Sequence, residues 1–321
     1  MNIDGKLDKK NIEDILPLTP IQEGMLFHYL KNPEGDHYFE QLSLNMSGEI
    51  DPEIMKMAWD YVRETNEALR TVFRWDKLER PIQIILKNHD IPFEYHDLTR
   101  LENASKMVQI SEIKRRNIRE GINITKTPLR VALFKLHKNK YQLVISNHHI
   151  IYDGWSSGIV LSELFEVYKN IIQGTLSKKI DKPKFKEFIR WNQNIEVQRN
   201  YWKQYLKGID TSTKLPIDYC GERMESSTGK FNFALDPNTV QKINSFCAKH
   251  KVAFASFIYM AWGILLKRYN YSDDIIFGTT VSGRNAKINN IEKMVGLFIN
   301  TLPLRVNTEG DVGTVELLKR I

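Results

Sequence analysis

Two adjacent histidines stand in the run Asn147-His148-His149-Ile150-Ile151-Tyr152-Asp153-Gly154. A neutral imidazole is the natural general base near pH 7, because its unperturbed pKa is about 6.5. It needs one fixed tautomer, which a backbone carbonyl or a carboxylate can hold. Successive side chains on an extended segment point to opposite sides. One of His148 and His149 is therefore expected to reach a site, and the other to pack or hydrogen-bond. The residues alone leave Asp153 two roles: orienting an imidazole, or pairing as a partly buried carboxylate with an arginine. Gly154 permits a backbone that other residues do not adopt.

No nucleophile accompanies these groups. There is no Gly-x-Ser-x-Gly elbow. Cys247 and His250 lie three apart on an expected helix, outside any catalytic signature context. Neither a Gly-x-x-x-x-Gly-Lys-Ser/Thr loop nor a Gly-x-Gly-x-x-Gly turn occurs, so a phosphate or dinucleotide cofactor is unsupported. His148 and His149 lack partners at zinc-ligand spacing. The chemistry these residues support is a base-dependent transfer or hydrolysis that requires no covalent enzyme intermediate.

The elements around the histidines follow from periodicity and punctuation. Residues 130–136 and 141–146 read as a hairpin with a polar turn at 137–140, and its second strand delivers the histidines. Residues 157–172 then have helical spacing. Upstream, residues 1–14 read as a polar leader and 20–30 as a helix with Thr19 as cap and Pro20 in first position. Residues 37–46 read as a strand, Asp51-Pro52 starts a helix to about residue 66, 70–75 and 82–86 read as strands, and 102–120 as a helix. Residues 174–183 are linker-like, with Gly, Ser, Lys and Pro. That divides the chain into domains at 1–175 and 184–321. In the second, 185–206 reads as an aromatic-rich helix, 230–235 as a strand, and Asp236-Pro237 repeats the helix start of Asp51-Pro52. Residues 252–266 read as a buried helix, and 275–281 and 301–306 as strands. The fold class is α/β, of the α+β kind.

Composition sets the outer bounds. At 321 residues, about two domains are expected. With 42% hydrophobic and 26% charged residues the chain is an ordinary folded protein, neither low-complexity nor disordered. The net charge of +7 is mild, and its densest run, Lys114-Arg115-Arg116 with Arg119, comes without any nucleic-acid-binding signature. Two cysteines, Cys220 and Cys247, exclude a disulfide framework and fit a reducing, cytoplasmic setting. A polar start at Met1–Lys10 leads us to expect no signal peptide. The most apolar stretch, 252–266, is shorter than the ~20 residues of a membrane span.

The run His148 to Gly154 resembles the HHxxxDG signature of nonribosomal peptide synthetase condensation domains, which belong to the chloramphenicol-acetyltransferase-like superfamily. Four further segments sharpen the likeness. Leu18-Thr19-Pro20-Ile21-Gln22-Glu23-Gly24-Met25-Leu26-Phe27-His28 resembles the first condensation motif. Asn66-Glu67-Ala68-Leu69-Arg70-Thr71-Val72-Phe73 resembles the second, with Asn66 where the family usually has histidine. Ile276-Phe277-Gly278-Thr279-Thr280-Val281-Ser282-Gly283-Arg284 is similar to the family's strand and turn ahead of its floor loop. Met294-Val295-Gly296-Leu297-Phe298-Ile299-Asn300-Thr301-Leu302-Pro303 resembles the fifth motif.

The resemblance implies two acetyltransferase-like lobes in a V. A tunnel runs between them, and donor and acceptor carrier proteins deliver thioesters on 4'-phosphopantetheine arms. No resident cofactor, membrane or nucleic acid is implied. The implied neighbour is an adenylation domain of a multidomain synthetase. His149 takes the position of the family's catalytic histidine, acting as base on the acceptor amine or as its hydrogen-bond partner. His148 is assigned to support. Asp153 takes that of the family's structural aspartate, held by an arginine from the other lobe, with Arg284 first and Arg70 second as candidates. Gly154 is expected to leave the tunnel open. Trp155 and Asn300 are supporting positions. The run Asp153-Gly154-Trp155-Ser156 resembles domains that join two L-residues. The alternatives are an epimerisation domain, another superfamily member, or a catalytically silent carrier-docking module. The family domain is longer than this chain, so an incomplete second lobe is expected.

Overall fold

The first strand lies where a polar leader is expected. The computed structural model describes residues 7–32, 35–175, 182–192, 195–209, 212–215, 231–310 and 312–321. Its elements run β1 (Ile12–Pro17), α1 (Pro20–Lys31), β2 (Phe39–Ser47), α2 (Pro52–Thr65), β3 (Thr71–Arg74), β4 (Ile82–Leu86), β5 (Phe93–Asp97), α3 (Asn103–Glu120), β6 (Leu129–His137), β7 (Lys140–His148), α4 (Gly154–Ile172), α5 (Phe185–Asn192), α6 (Ile195–Tyr205), α7 (Pro237–His250), α8 (Phe254–Asn270), β8 (Asp274–Val281), β9 (Asn300–Asn307) and α9 (Thr314–Arg320). The chain has a mixed α/β fold.

Local chemistry sets the helix starts. Thr19 and Gln22 form a reciprocal capping box at α1, with Pro20 where a missing N–H does no harm. Asp51 accepts from the Glu53 and Ile54 amides at 2.8 and 3.1 Å, and Asp236 from the Thr239 amide at 2.9 Å.

The described residues fall into two compact units. The first takes the chain up to Ile195 together with Ser282–Asn300, and the second takes Glu196–Val281 with Thr301–Ile321. This division differs from the boundary expected at 175–184. Phe185, Phe188 and Ile189 of α5 pack with Ala286, Ile291, Met294 and Phe298, so burial of aromatic surface ties both segments to the first unit. Residues 176–181 of the expected linker lie outside the described residues.

Within the first unit, a three-stranded sheet has the order β1-β4-β3 and a four-stranded sheet the order β2-β7-β6-β5. β1 runs antiparallel to β4, with Ile12 and Leu16 half-buried on one face and Ile15 exposed on the other. β5, absent from the sequence reading, pairs parallel with β6. A parallel pair needs a crossover, and α3 supplies it. Alternation on β6 divides the core in two. Leu129, Val131 and Leu133 face Trp59 and Val62 of α2 and Val160 and Leu164 of α4, while Ala132 and Phe134 pack with Ile110 and Ile113 of α3. Part of the basic run is neutralised locally: Arg116 pairs with Glu94 at 2.8 Å.

In the second unit β8 pairs with β9. Met260 of α8 packs with Val306, Leu317 and Leu318. α8 is not the buried helix that its composition implies. Its buried residues are Met260, Gly263 and Leu266, whereas Trp262, Ile264, Leu265 and Tyr269 are exposed. The expected helix 185–206 is two helices, α5 and α6. The expected strand 230–235 is irregular and solvent-facing at Phe231, Phe233 and Leu235, with Lys230 outside the described residues. Among the described residues it has no pairing neighbour, and alternation alone does not make a strand. Among the described residues, no helix is long and apolar enough to cross a membrane, and no cluster of His, Cys, Asp and Glu is arranged to hold a metal. Cys247 is buried and free, and Cys220 lies outside the described residues.

Candidate active site

β7 runs in register against β2, so that Phe39 faces His148 and Glu40 faces Asn147. The chain leaves the sheet at this point, and the two histidine rings part. His148 is buried. Its Nδ1 accepts from the Ile150 amide at 3.1 Å, and its ring packs edge-on to Tyr29 with centroids 5.6 Å apart. Burial pushes the imidazole down to about 4, with the charge of His149 adding to the effect. His148 is therefore neutral at pH 7. It lacks the access to take a proton from a substrate.

That burial has a pH signature. A histidine whose folded pKa lies below its unfolded value contributes its full stability above the unfolded pKa, near 6.5, and loses it as the pH falls toward about 4. Across that window the loss is about 1.4 kcal/mol per pH unit. Urea unfolding at pH 7 and pH 5 is expected to show this loss in the native chain and a smaller one in His148→Gln, which keeps an acceptor but does not titrate. Equal losses in both proteins would remove His148 as the cause.

His149 points elsewhere. Its amide donates to the Tyr38 carbonyl at 2.8 Å, and Tyr38 holds a left-handed backbone with φ 62°. The His149 side chain is 18% exposed, and its Nε2 lies 3.5 Å from Oε1 of Glu40. Nδ1 is buried without a hydrogen-bond partner among the described residues. Nε2 is thus the nitrogen turned toward a charged, accessible neighbour. The peptide just beyond is anchored by Gln22, whose Nε2 donates to the Ile150 carbonyl at 3.0 Å.

Asp153 is fully buried and caps α4. Its Oδ1 accepts from the Ser156 amide at 2.8 Å and from Arg284 at 3.3 Å. Its Oδ2 accepts from the Phe298 and Ile299 amides at 2.9 and 3.3 Å. Ser156 Oγ donates to the Gly296 carbonyl at 2.8 Å and accepts from Arg284 at 2.7 Å. Arg284 also donates to the Ile291 and Met294 carbonyls at 2.6 and 3.0 Å, and its guanidinium lies 4.1 Å from the Phe298 ring centroid. Burial pulls Arg284 below its usual range while the charge of Asp153 props it up; it stays cationic. One carboxylate and one guanidinium thus clamp the loop after the histidines to residues 282–299. At the turn into that segment Gly283 has φ 67°, and a Cβ there would meet the Phe298 carbonyl oxygen at 1.9 Å, so glycine is required.

Several expectations about supporting residues change. Arg284 belongs to the first compact unit, not to the second. Arg70 does not reach Asp153. It pairs with Glu13 and donates to the Leu86 carbonyl, and it lines a cavity of about 280 Å³ that includes neither histidine nor Asp153. Arg70 ends a short 3-10 turn, Glu67–Arg70, that leads into β3, and there it reaches Glu13 of β1 and Leu86 of β4. Gly154 needs no glycine backbone. It is the first residue of α4, and a Cβ would meet nothing within 4 Å. Trp155 is exposed, with its indole N–H on the Glu292 carbonyl at 3.2 Å and Arg284 5.8 Å from its ring centroid. Asn300 is the exposed first residue of β9.

Glu40 was missed as a site residue. A signal was present: Leu42, Leu44 and Met46 are apolar at alternate positions, so Glu40 interrupts a core-facing row. Asp153 faces His149 with neither oxygen, which leaves it structural rather than orienting.

A family model described as "Condensation domain" matches residues 12–321. Tyrocidine synthase 2 of Brevibacillus parabrevis is 33% identical over 316 residues, covering 98% of this chain and 9% of that protein. Surfactin synthase subunit 2 of Bacillus subtilis (strain 168) is 34% identical over 318 residues, again covering 98% of this chain and 9% of the relative. The chain therefore spans about a tenth of the length of these curated relatives. Among solved structures, the first condensation domain of the calcium-dependent antibiotic synthetase, in complex with a substrate analogue, superimposes with a TM-score of 0.73 at 18% identity. That match covers 96% of this chain and 73% of the other. The fold is the chloramphenicol-acetyltransferase-like fold of these neighbours, and the chain belongs to the condensation-domain family of nonribosomal peptide synthetases.

Proposed function

We propose that this chain forms an amide between a donor aminoacyl or peptidyl thioester and the amine of an acceptor aminoacyl thioester. Both are carried on phosphopantetheine arms of carrier proteins. The observation that carries this reading is His149, whose Nε2 is the accessible nitrogen beside Glu40 on a loop clamped from behind by Asp153 and Arg284. The acceptor amine attacks the donor carbonyl, the N–C bond forms and the C–S bond breaks. The amine's proton passes to His149 Nε2 and on to the departing thiolate. This sequence needs no acyl-enzyme.

His149 is the catalytic residue in this reading, and His148, Asp153, Trp155 and Arg284 hold its frame. Asp153-Gly154-Trp155-Ser156 favours an L-to-L domain. The pantetheine arms belong to the substrates, so no resident cofactor is assigned. The relatives are named as a synthase and a synthase subunit, each about ten times the length matched here, which favours a cytoplasmic multidomain assembly with an adenylation domain beside this one.

The test uses the chain with a donor carrier bearing one aminoacyl thioester and an acceptor carrier bearing another. The acceptor carrier's intact mass should rise by one aminoacyl unit, and chiral analysis of the released product should show both residues in the L form. Carrier binding without mass gain across several donor–acceptor pairs would replace the enzyme with a docking module. A D-residue in the product would point to epimerisation.

A further inference from the structure

Among the described residues, Glu40 is a carboxylate without a lysine or arginine partner. Its register partner Asn147 donates from Nδ2 to Oε2 at 3.5 Å, and the other oxygen faces His149 Nε2 at 3.5 Å. Among the described residues no lysine or arginine forms an ion pair with it, and its side chain is 43% exposed. The register of β2 on β7 sets this placement. Glu40 stands directly opposite Asn147, and His149 is the first residue beyond β7, its amide held by the Tyr38 carbonyl. The charge of Glu40 also reaches inward, adding to burial in raising the Tyr152 phenol.

An aminoacyl amine has a pKa near 8, so at pH 7 most acceptor molecules arrive as ammonium ions. A cation entering beside Nε2 meets the Glu40 carboxylate at the same moment. The imidazole can then take one of its protons, and the resulting imidazolium is held against the same carboxylate. Resting on the amide-forming reading above, we infer that Glu40 binds the acceptor's ammonium group beside His149 and so selects an amine over a hydroxyl acceptor.

Charge-assisted hydrogen bonds of this kind correspond to about 10- to 100-fold in affinity. The probes are two mimics of the acceptor arm. One is a pantetheine aminoacyl amide, and the other is its hydroxyacyl counterpart, alike in shape but uncharged. Calorimetric titration of the native chain at pH 7 should show the ammonium mimic binding about 10- to 100-fold more tightly. Glu40→Gln keeps the shape and the bond from Asn147, and it should bind both mimics equally. In turnover, Glu40→Gln should raise KM for the acceptor carrier by the same factor and leave KM for the donor carrier unchanged. A merely structural role would move both. Equal binding of the two mimics by the native chain, or an unchanged preference in Glu40→Gln, would overturn the inference even if amide formation is observed. A preference for ammonium in a chain that forms no amide would instead sink the reading on which it rests.

Discussion

Replacing His149 by alanine is expected to slow amide formation by about 10²- to 10⁴-fold, the usual contribution of a positioned general base. The fold should survive, because the side chain is partly exposed and its Nδ1 has no hydrogen-bond partner among the described residues. Two contributions are separable by pH. At pH 7 the acceptor amine is largely protonated, so the variant lacks both the base and the group that positions the nucleophile. At pH 9 the amine arrives neutral, and the remaining deficit measures positioning together with uptake of the proton released as the N–C bond forms. The deficit should therefore shrink as the pH rises. The measurement is single-turnover intact mass of the acceptor carrier at both pH values, with thermal unfolding alongside. Native-like rates in a folded His149→Ala protein at pH 7 would remove His149 from the chemistry.

The second large effect is on stability. Asp153→Ala should cost about 3–5 kcal/mol, as expected when one partner of a buried ion pair is removed. Three losses coincide. The Arg284 guanidinium is left buried without its counter-charge, the Phe298 and Ile299 amides lose their acceptor, and α4 loses its cap. A domain has only about 5–15 kcal/mol in total, so this variant should be largely unfolded or strongly shifted in urea. A double-mutant cycle identifies the cause. If the orphaned charge dominates, Asp153→Ala with Arg284→Met should be less destabilised than the sum of the two single variants, by more than about 1 kcal/mol. Additivity would mean that the backbone contacts, not the ion pair, hold the loop. An Asp153→Ala protein within about 1 kcal/mol of the native chain would contradict the clamp altogether.

Together these effects separate two functions within one short run. Asp153 is spent entirely on structure: both oxygens are occupied and no water reaches it. His149 keeps an accessible nitrogen. Activity lost through Asp153 should therefore track unfolding, while activity lost through His149 should not.

The cation in the clamp and the carboxylate at the site differ in how far the sequence could reach. Ser156 and Gln22 stand within recognisable motifs, but only their partners, the Gly296 and Ile150 carbonyls, give them work. Arg70 and Arg284 are equivalent as letters. The 3-10 turn before β3 sends one to Glu13, and the left-handed Gly283 turn sends the other under the loop of Asp153.

Local rules were enough for the caps at Thr19, Asp51 and Asp236, for the hairpin β6–β7 and for the α/β class, because each depends on neighbours within a few residues. The histidine pair and its spacing to Asp153 were likewise legible, since a chemical motif is local by nature. Only the tertiary structure decided the rest. β1 exists because β4 is there to pair with it, 231–235 is irregular with no pairing neighbour among the described residues, and α8 exposes one face where composition alone buries it. Glu40 became a site residue through the register of β2 on β7, more than a hundred residues apart. Pairing, burial and charge compensation are settled between distant segments, and no local pattern of residues contains them.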